Sequence, residues 1–183
     1  MTADHADVLA FWFEEIEPAQ HFRKDAAFDR AIAARFRHVY ELAANGSLNA
    51  WMESADGCLA LVIVLDQFPR NMFRDTPRAF ESDERAKEVA DFAIDQGFDL
   101  AVAGDRRKFF YMPLQHSERL ADQERCVALA RERCAADDGT LDYAQQHLDV
   151  IERFGRFPHR NAILGRESTA EEQAFLQEPG SSF

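Results

Sequence analysis

Apolar residues recur at helical spacing along almost the whole chain. Val8, Leu9, Trp12, Phe13 and Ile16 share one face, and Phe28, Ile32, Phe36, Val39, Tyr40 and Ala43 share another, which predicts helices near 4–16 and 25–44. Ala86, Val89, Ala90, Ala93 and Ile94 repeat the pattern behind Ser82, whose hydroxyl is placed to cap a helix opening on Asp83 and Glu84; Gly97 is placed to end it. Ser117 reads as the N-cap of a run to about Ala135. Thr140 opens another, with Leu141, Tyr143, His147, Val150, Ile151 and Phe154 on its apolar side, before Gly155 breaks it.

The segment 58–68 is ambiguous by pattern, because Leu61, Val62, Ile63, Val64 and Leu65 also suit a buried strand. A helix is the consistent reading: a lone strand would find no partner, whereas a helix apolar all round belongs at the centre of a helical assembly. Pro69 is expected to end it, since the residue before a proline is biased away from the α region. The predicted fold is all-α, with helix pairs packed as a compact bundle or a short superhelix.

Composition adds boundaries. The 183 residues suit one domain, read here as 1–178, with 179–183 as a frayed C-terminal tail. With 46% hydrophobic and 30% charged residues, and no apolar run of bilayer length, the chain reads as soluble with no membrane partner. The N-terminus lacks a secretory pattern, which predicts a cytoplasmic protein. Cys58, Cys126 and Cys134 have no paired spacing and agree with a reducing compartment. A net charge of −12 opposes nucleic acid, which needs a basic surface. Oligomeric state is not legible.

The most informative motif is a near-repeat. Leu65-Asp66-Gln67-Phe68-Pro69-Arg70-Asn71 is echoed by Phe157-Pro158-His159-Arg160-Asn161, each followed by a further arginine, Arg74 and Arg166. In each, proline stops a helix, asparagine tolerates a turn and arginine projects from the corner; the plainer alternative is that the arginines cap helix carbonyls. Ser168 and Glu171 have capping-box spacing. These motifs, with Phe11-Trp12-Phe13, Tyr111-Met-Pro-Leu-Gln-His-Ser-Glu and Arg156-Phe-Pro-His-Arg-Asn-Ala-Ile-Leu-Gly-Arg-Glu-Ser-Thr, resemble the bacterial family catalogued as domain of unknown function 924. That resemblance spans nearly the whole chain and implies an all-α, tetratricopeptide-like superhelix. It implies no activity, substrate or cofactor.

Candidate site residues follow from the corners and from the polar cluster Tyr111, Gln115, His116, Ser117 and Glu118. A groove lined by Arg70, Asn71, Arg74, Tyr111, His116, His159, Arg160, Asn161 and Arg166 would suit an anionic small molecule or a peptide carboxylate. An enzyme in which Asp66 orients or deprotonates His116 toward an acidic substrate is the alternative, and requires a close contact between them. A structural or oligomerising role, in which the motifs only lock helix corners, is the third. His147, on an apolar face, reads as structural. No metal-ligand spacing and no glycine-rich phosphate loop is present, so neither metal nor cofactor is expected. The two corners are expected to converge, with Asp66, Glu118 or a bound anion as counterions to their arginines.

Overall fold

The structure, a computed structural model, describes residues 4–135 and 139–181, and every regular element in them is helical. Helix α1, His5–Ala10, runs on into a π-helical turn, Phe11–Glu15, and after a short 3-10 turn the chain enters α2, Ala26–Ala44. Asp4 and Asp25 cap these helices by accepting backbone N–H groups. The apolar faces read from the sequence point inward in both: Val8, Trp12, Ile32 and Phe36 are fully buried.

The ambiguous segment forms the central rod of the fold, and it is helical. Helix α3, Ala55–Val62, passes into a π turn, Ile63–Gln67, and then into α4, Phe68–Met72; residues 57–69 are buried throughout. Pro69 therefore does not end the helix, contrary to the expectation from its sequence. In the π turn the Phe68 N–H donates to the Ile63 carbonyl, five residues back, so Pro69 falls in the first turn of a fresh α segment, where its missing N–H costs little. Phe68 keeps an α conformation. The carbonyls that lose backbone donors find side chains: the Ser82 hydroxyl donates to Leu65 O at 2.6 Å, and Arg70 Nη1 to Asp66 O at 2.6 Å.

Around the rod lie α5, Asp83–Asp95; α6, Phe98–Ala101; α7, Gly104–Arg107; α8, Met112–Gln115; α9, Leu120–Arg133; α10, Thr140–Phe154; and α11, Ala170–Phe175. Helix α1 packs on α3, α2 on α4, α5 on α3 and α8, and α9 on α8 and α10. Phe36, Phe68, Trp12 and Phe109 meet around the rod, with ring centroids 4.9 Å apart for Phe36–Phe68 and 5.6 Å for Trp12–Phe68.

Three cap assignments shift. Ser82 precedes α5 but spends its hydroxyl on Leu65. Ser117 does not cap α9, which begins at Leu120; its hydroxyl donates to Asp122 and accepts the Arg119 N–H. The capping box before α11 is Thr169 with Glu172, one position after the pair expected, because the Thr169 backbone is the extended one. Gly97 and Gly155 do end their helices in the left-handed conformation. Of the expected tail, Ser181 is buried, and 182–183 lie outside the described residues.

Candidate functional site

Helical spacing builds the floor of the site. Gln67, Arg70, Asn71 and Arg74 are three or four residues apart along α4 and the turns flanking it, so they present one face. That face forms one wall of a cavity of about 430 Å³. The 3-10 turn Pro77–Phe80 adds Ala79 and Phe80, the start of α8 adds Met112 and its C-cap His116, α10 adds His147, and the 3-10 turn Pro158–Arg160 adds His159 and Arg160. His21, Phe22, Arg23 and Lys24 stand at the mouth; Phe22 is 62% exposed.

Asp66 lies beneath this surface with no exposed side-chain area. Its Oδ1 accepts the His116 Nδ1–H at 2.7 Å, its Oδ2 accepts the Gln67 amide at 2.6 Å, and Arg70 Nη1 sits 3.3 Å away. Burial alone would raise the carboxyl, but the charge of Arg70, together with His116 and Gln67, outweighs it and holds Asp66 well below the usual carboxylate range. Burial and the Arg70 charge lower His116 in turn, against the pull of Asp66. In its neutral form, with Nδ1 donating to Asp66, the imidazole carries its lone pair on Nε2.

Arg70 is compensated twice, by Asp66 and by a two-point contact with Asp83 at 2.9 and 3.1 Å. Arg74 makes a two-point contact with Asp29, both bonds 2.8 Å, and Asn71 donates to the same carboxylate. Arg160 is placed differently. Its side chain is 8% exposed, its guanidinium lies over Phe80 and Phe157 at 4.7 and 4.5 Å, and among the described residues it reaches only Asp83, at 3.6 Å, a carboxylate already held by Arg70. Burial, and then the nearby Arg70, push its pKa down to about 10. Burial pushes His147 and His159 down to about 3, helped by the neighbouring cationic groups. His147 donates from Nδ1 to the Tyr143 carbonyl and accepts the Gln115 amide on Nε2, the pattern of a neutral ring.

The two corners converge: Arg70 and Arg160, far apart in sequence, share Asp83. Arg70, Asn71, Arg74, His116, His159 and Arg160 line the cavity, with Asp66 behind them. Three expected residues do not. The Tyr111 hydroxyl donates to buried Asp99, which also pairs with Arg133. Asn161 is fully buried and donates to Ser168. Arg166 forms a two-point contact with Glu118 and locks the second corner. In each case a nearby partner draws the polar group away from the cavity.

Sequence reasoning missed Asp83, Asp29, Phe80 and the mouth residues 21–24. Asp83 was read only as a first-turn acid of α5, and nothing local in sequence ties it to two arginines from different corners. A second cavity, of about 480 Å³, adjoins the first and shares Phe80, His116 and Arg160 with it. Its lining mixes Glu81, Asp83, Glu84 and Glu118 with Arg78, Arg119 and Arg160.

The model of the family described as bacterial protein of unknown function (DUF924) matches residues 8–180. This chain belongs to that family. Among solved structures, the family member is similar to a protein of unknown function, ATU0120, from Agrobacterium tumefaciens: 45% identity over 94% of this chain and 96% of that one, with a TM-score of 0.89. Among curated proteins, none matches it. The all-α architecture is thereby shared across the family member's length. Among its described residues, no helix is long and apolar enough to cross a membrane, and no group of three or more His, Cys, Asp or Glu is placed to hold a metal ion.

Proposed function

We propose that this protein binds a small anion, a carboxylate or phosphate group of a metabolite or peptide, in the cavity between the two corners, with Arg160 as the principal donor. The observation that carries this reading is the state of the Arg160 guanidinium. It is buried, its Nε has no hydrogen-bond partner among the described residues, and the nearest carboxylate is committed elsewhere. A cation left in that state is stabilised by any anion that enters, and two faces of the cavity rim, Arg23 and Lys24, add attraction. The corner-locking reading describes Arg74 and Arg166, whose charges are consumed by Asp29 and Glu118. It leaves Arg160 without a purpose.

A thermal-shift screen of carboxylate and phosphate metabolites at low and high salt tests the proposal. A ligand at about 100 times its dissociation constant stabilises the fold by about 2.7 kcal/mol. The shift is expected to shrink with salt and to vanish in Arg160→Met. A shift that survives the substitution unchanged would place binding elsewhere.

A further inference from the structure

Two features of the site remain unused by simple binding: the Asp66–His116 pair, and the fact that His116 stands where two cavities meet. We propose that His116 is a general base that cleaves a carboxylic ester spanning both cavities, its anionic acyl half seated beside Arg160 and its neutral alcohol half in the second cavity, whose lining mixes acids and arginines.

The proposal rests on the anion-binding reading and adds chemistry to it. His116 Nδ1 is occupied by Asp66 at 2.7 Å, which fixes the ring's orientation and tautomer and leaves the Nε2 lone pair as the proton acceptor. Asp66 is itself immobilised by Gln67 and Arg70, so the pair is rigid. The imidazole keeps a small exposed area, 13% of its side chain, and with Phe80 and Arg160 it lines both cavities. A molecule occupying both cavities therefore presents its middle bond to His116. The cavity linings differ in charge: the first is cationic, with Arg23, Lys24 and Arg160 beside the paired Arg70 and Arg74, whereas the second mixes Glu81, Asp83, Glu84 and Glu118 with Arg78, Arg119 and the shared Arg160. That difference suits an anionic half joined to a neutral one. A neutral acyl centre is the better fit than a phosphoryl centre, because Arg70 and Arg74 are committed to carboxylates and are not available to neutralise a reacting phosphate.

The step balances without a further reagent. A water adds its oxygen to the acyl carbon while its proton passes to Nε2. Collapse breaks the acyl–alkoxy bond, and the Nε2 proton goes to the departing alkoxide. Ester and water become acid and alcohol, and His116 is restored.

The test uses 4-nitrophenyl hemisuccinate as the anionic ester, 4-nitrophenyl butyrate as its neutral counterpart, and succinate as a binding probe, with the full chain. The expected result is faster turnover of the anionic ester. His116→Asn, which keeps an N–H for Asp66, should lower kcat roughly 100-fold or more with far less effect on succinate affinity, whereas Arg160→Met should act mainly through KM. The wild-type rate should hold below the ordinary imidazole range and fall only as His116 protonates, since burial and then Arg70 lower its pKa against Asp66 and Asp83; His147, His159 and Arg160 also face it. Independently of turnover, diethylpyrocarbonate should acylate His116 in the wild type, and succinate should protect it. Succinate binding without turnover of the anionic ester would overturn the catalytic proposal and leave the binding reading standing; loss of both would remove the two together. Turnover unaffected by His116→Asn, or no labelling of His116, would also overturn it.

Discussion

Replacing Arg160 by Met separates a structural arginine from a functional one. The substitution keeps an unbranched apolar stem between Phe80 and Phe157 and removes the charge. In the folded protein the guanidinium pKa falls from 12.5 to about 10. For a cation this sign means that folding opposes the charged form. The penalty is fully present below the folded value and lifts only as pH rises through it, so it applies in full at pH 7. At about 1.4 kcal/mol per pKa unit it amounts to roughly 3 kcal/mol. Met would relieve that and forfeit two cation–π contacts, together roughly 1–3 kcal/mol in a desolvated site. The ligand-free variant should therefore be as stable as the wild type or up to about 2 kcal/mol more stable, which for a chain of this size raises the melting temperature by at most several degrees. Paired urea and thermal denaturation in an anion-free buffer measure it. A loss of about 2 kcal/mol or more would show that the arginine holds the corner together, and would sink the reasoning.

Other outcomes follow from the same geometry. Ser82→Ala should cost about 1–3 kcal/mol by leaving the buried Leu65 carbonyl without a donor, read from the urea midpoint. Because the Asp66 carboxyl is held below its ordinary range, it contributes stability that is present above the unfolded carboxylate pKa and lost as pH falls through the depressed folded value. Asp66→Asn should therefore cost about 3 kcal/mol near neutral pH and flatten the acid limb of the stability profile. Glu118→Gln should cost roughly 1–3 kcal/mol, because Arg166 and the Phe157 N–H lose their shared acceptor, yet leave anion-induced thermal shifts unchanged.

The helices were legible because burial imposes their period: the faces of α2 and α10 appear in the sequence as spaced apolar residues. The passage through Pro69 was not, since it depends on a π turn and on hydroxyl and guanidinium donors supplied from Ser82 and Arg70. Likewise, the near-repeat pointed to Arg70 and Arg160, but only the packed structure shows that they meet over Asp83. Tyr111, Asn161 and Arg166 carry the same chemical signal in sequence as the residues that line the cavity. What removes them is a local competitor, Asp99, Ser168 or Glu118, whose proximity comes from tertiary packing. His147 shows the converse: an apolar face is where it lies, yet that face borders the cavity.

Anion binding at Arg160 can be measured by calorimetric titration of succinate and of inorganic phosphate into wild type, Arg160→Met and Arg166→Gln at low ionic strength. Saturable binding of at least one of these anions is expected for wild type and for Arg166→Gln, and none for a folded Arg160→Met. Equal heats in all three proteins, or none in the wild type, would contradict anion binding at Arg160.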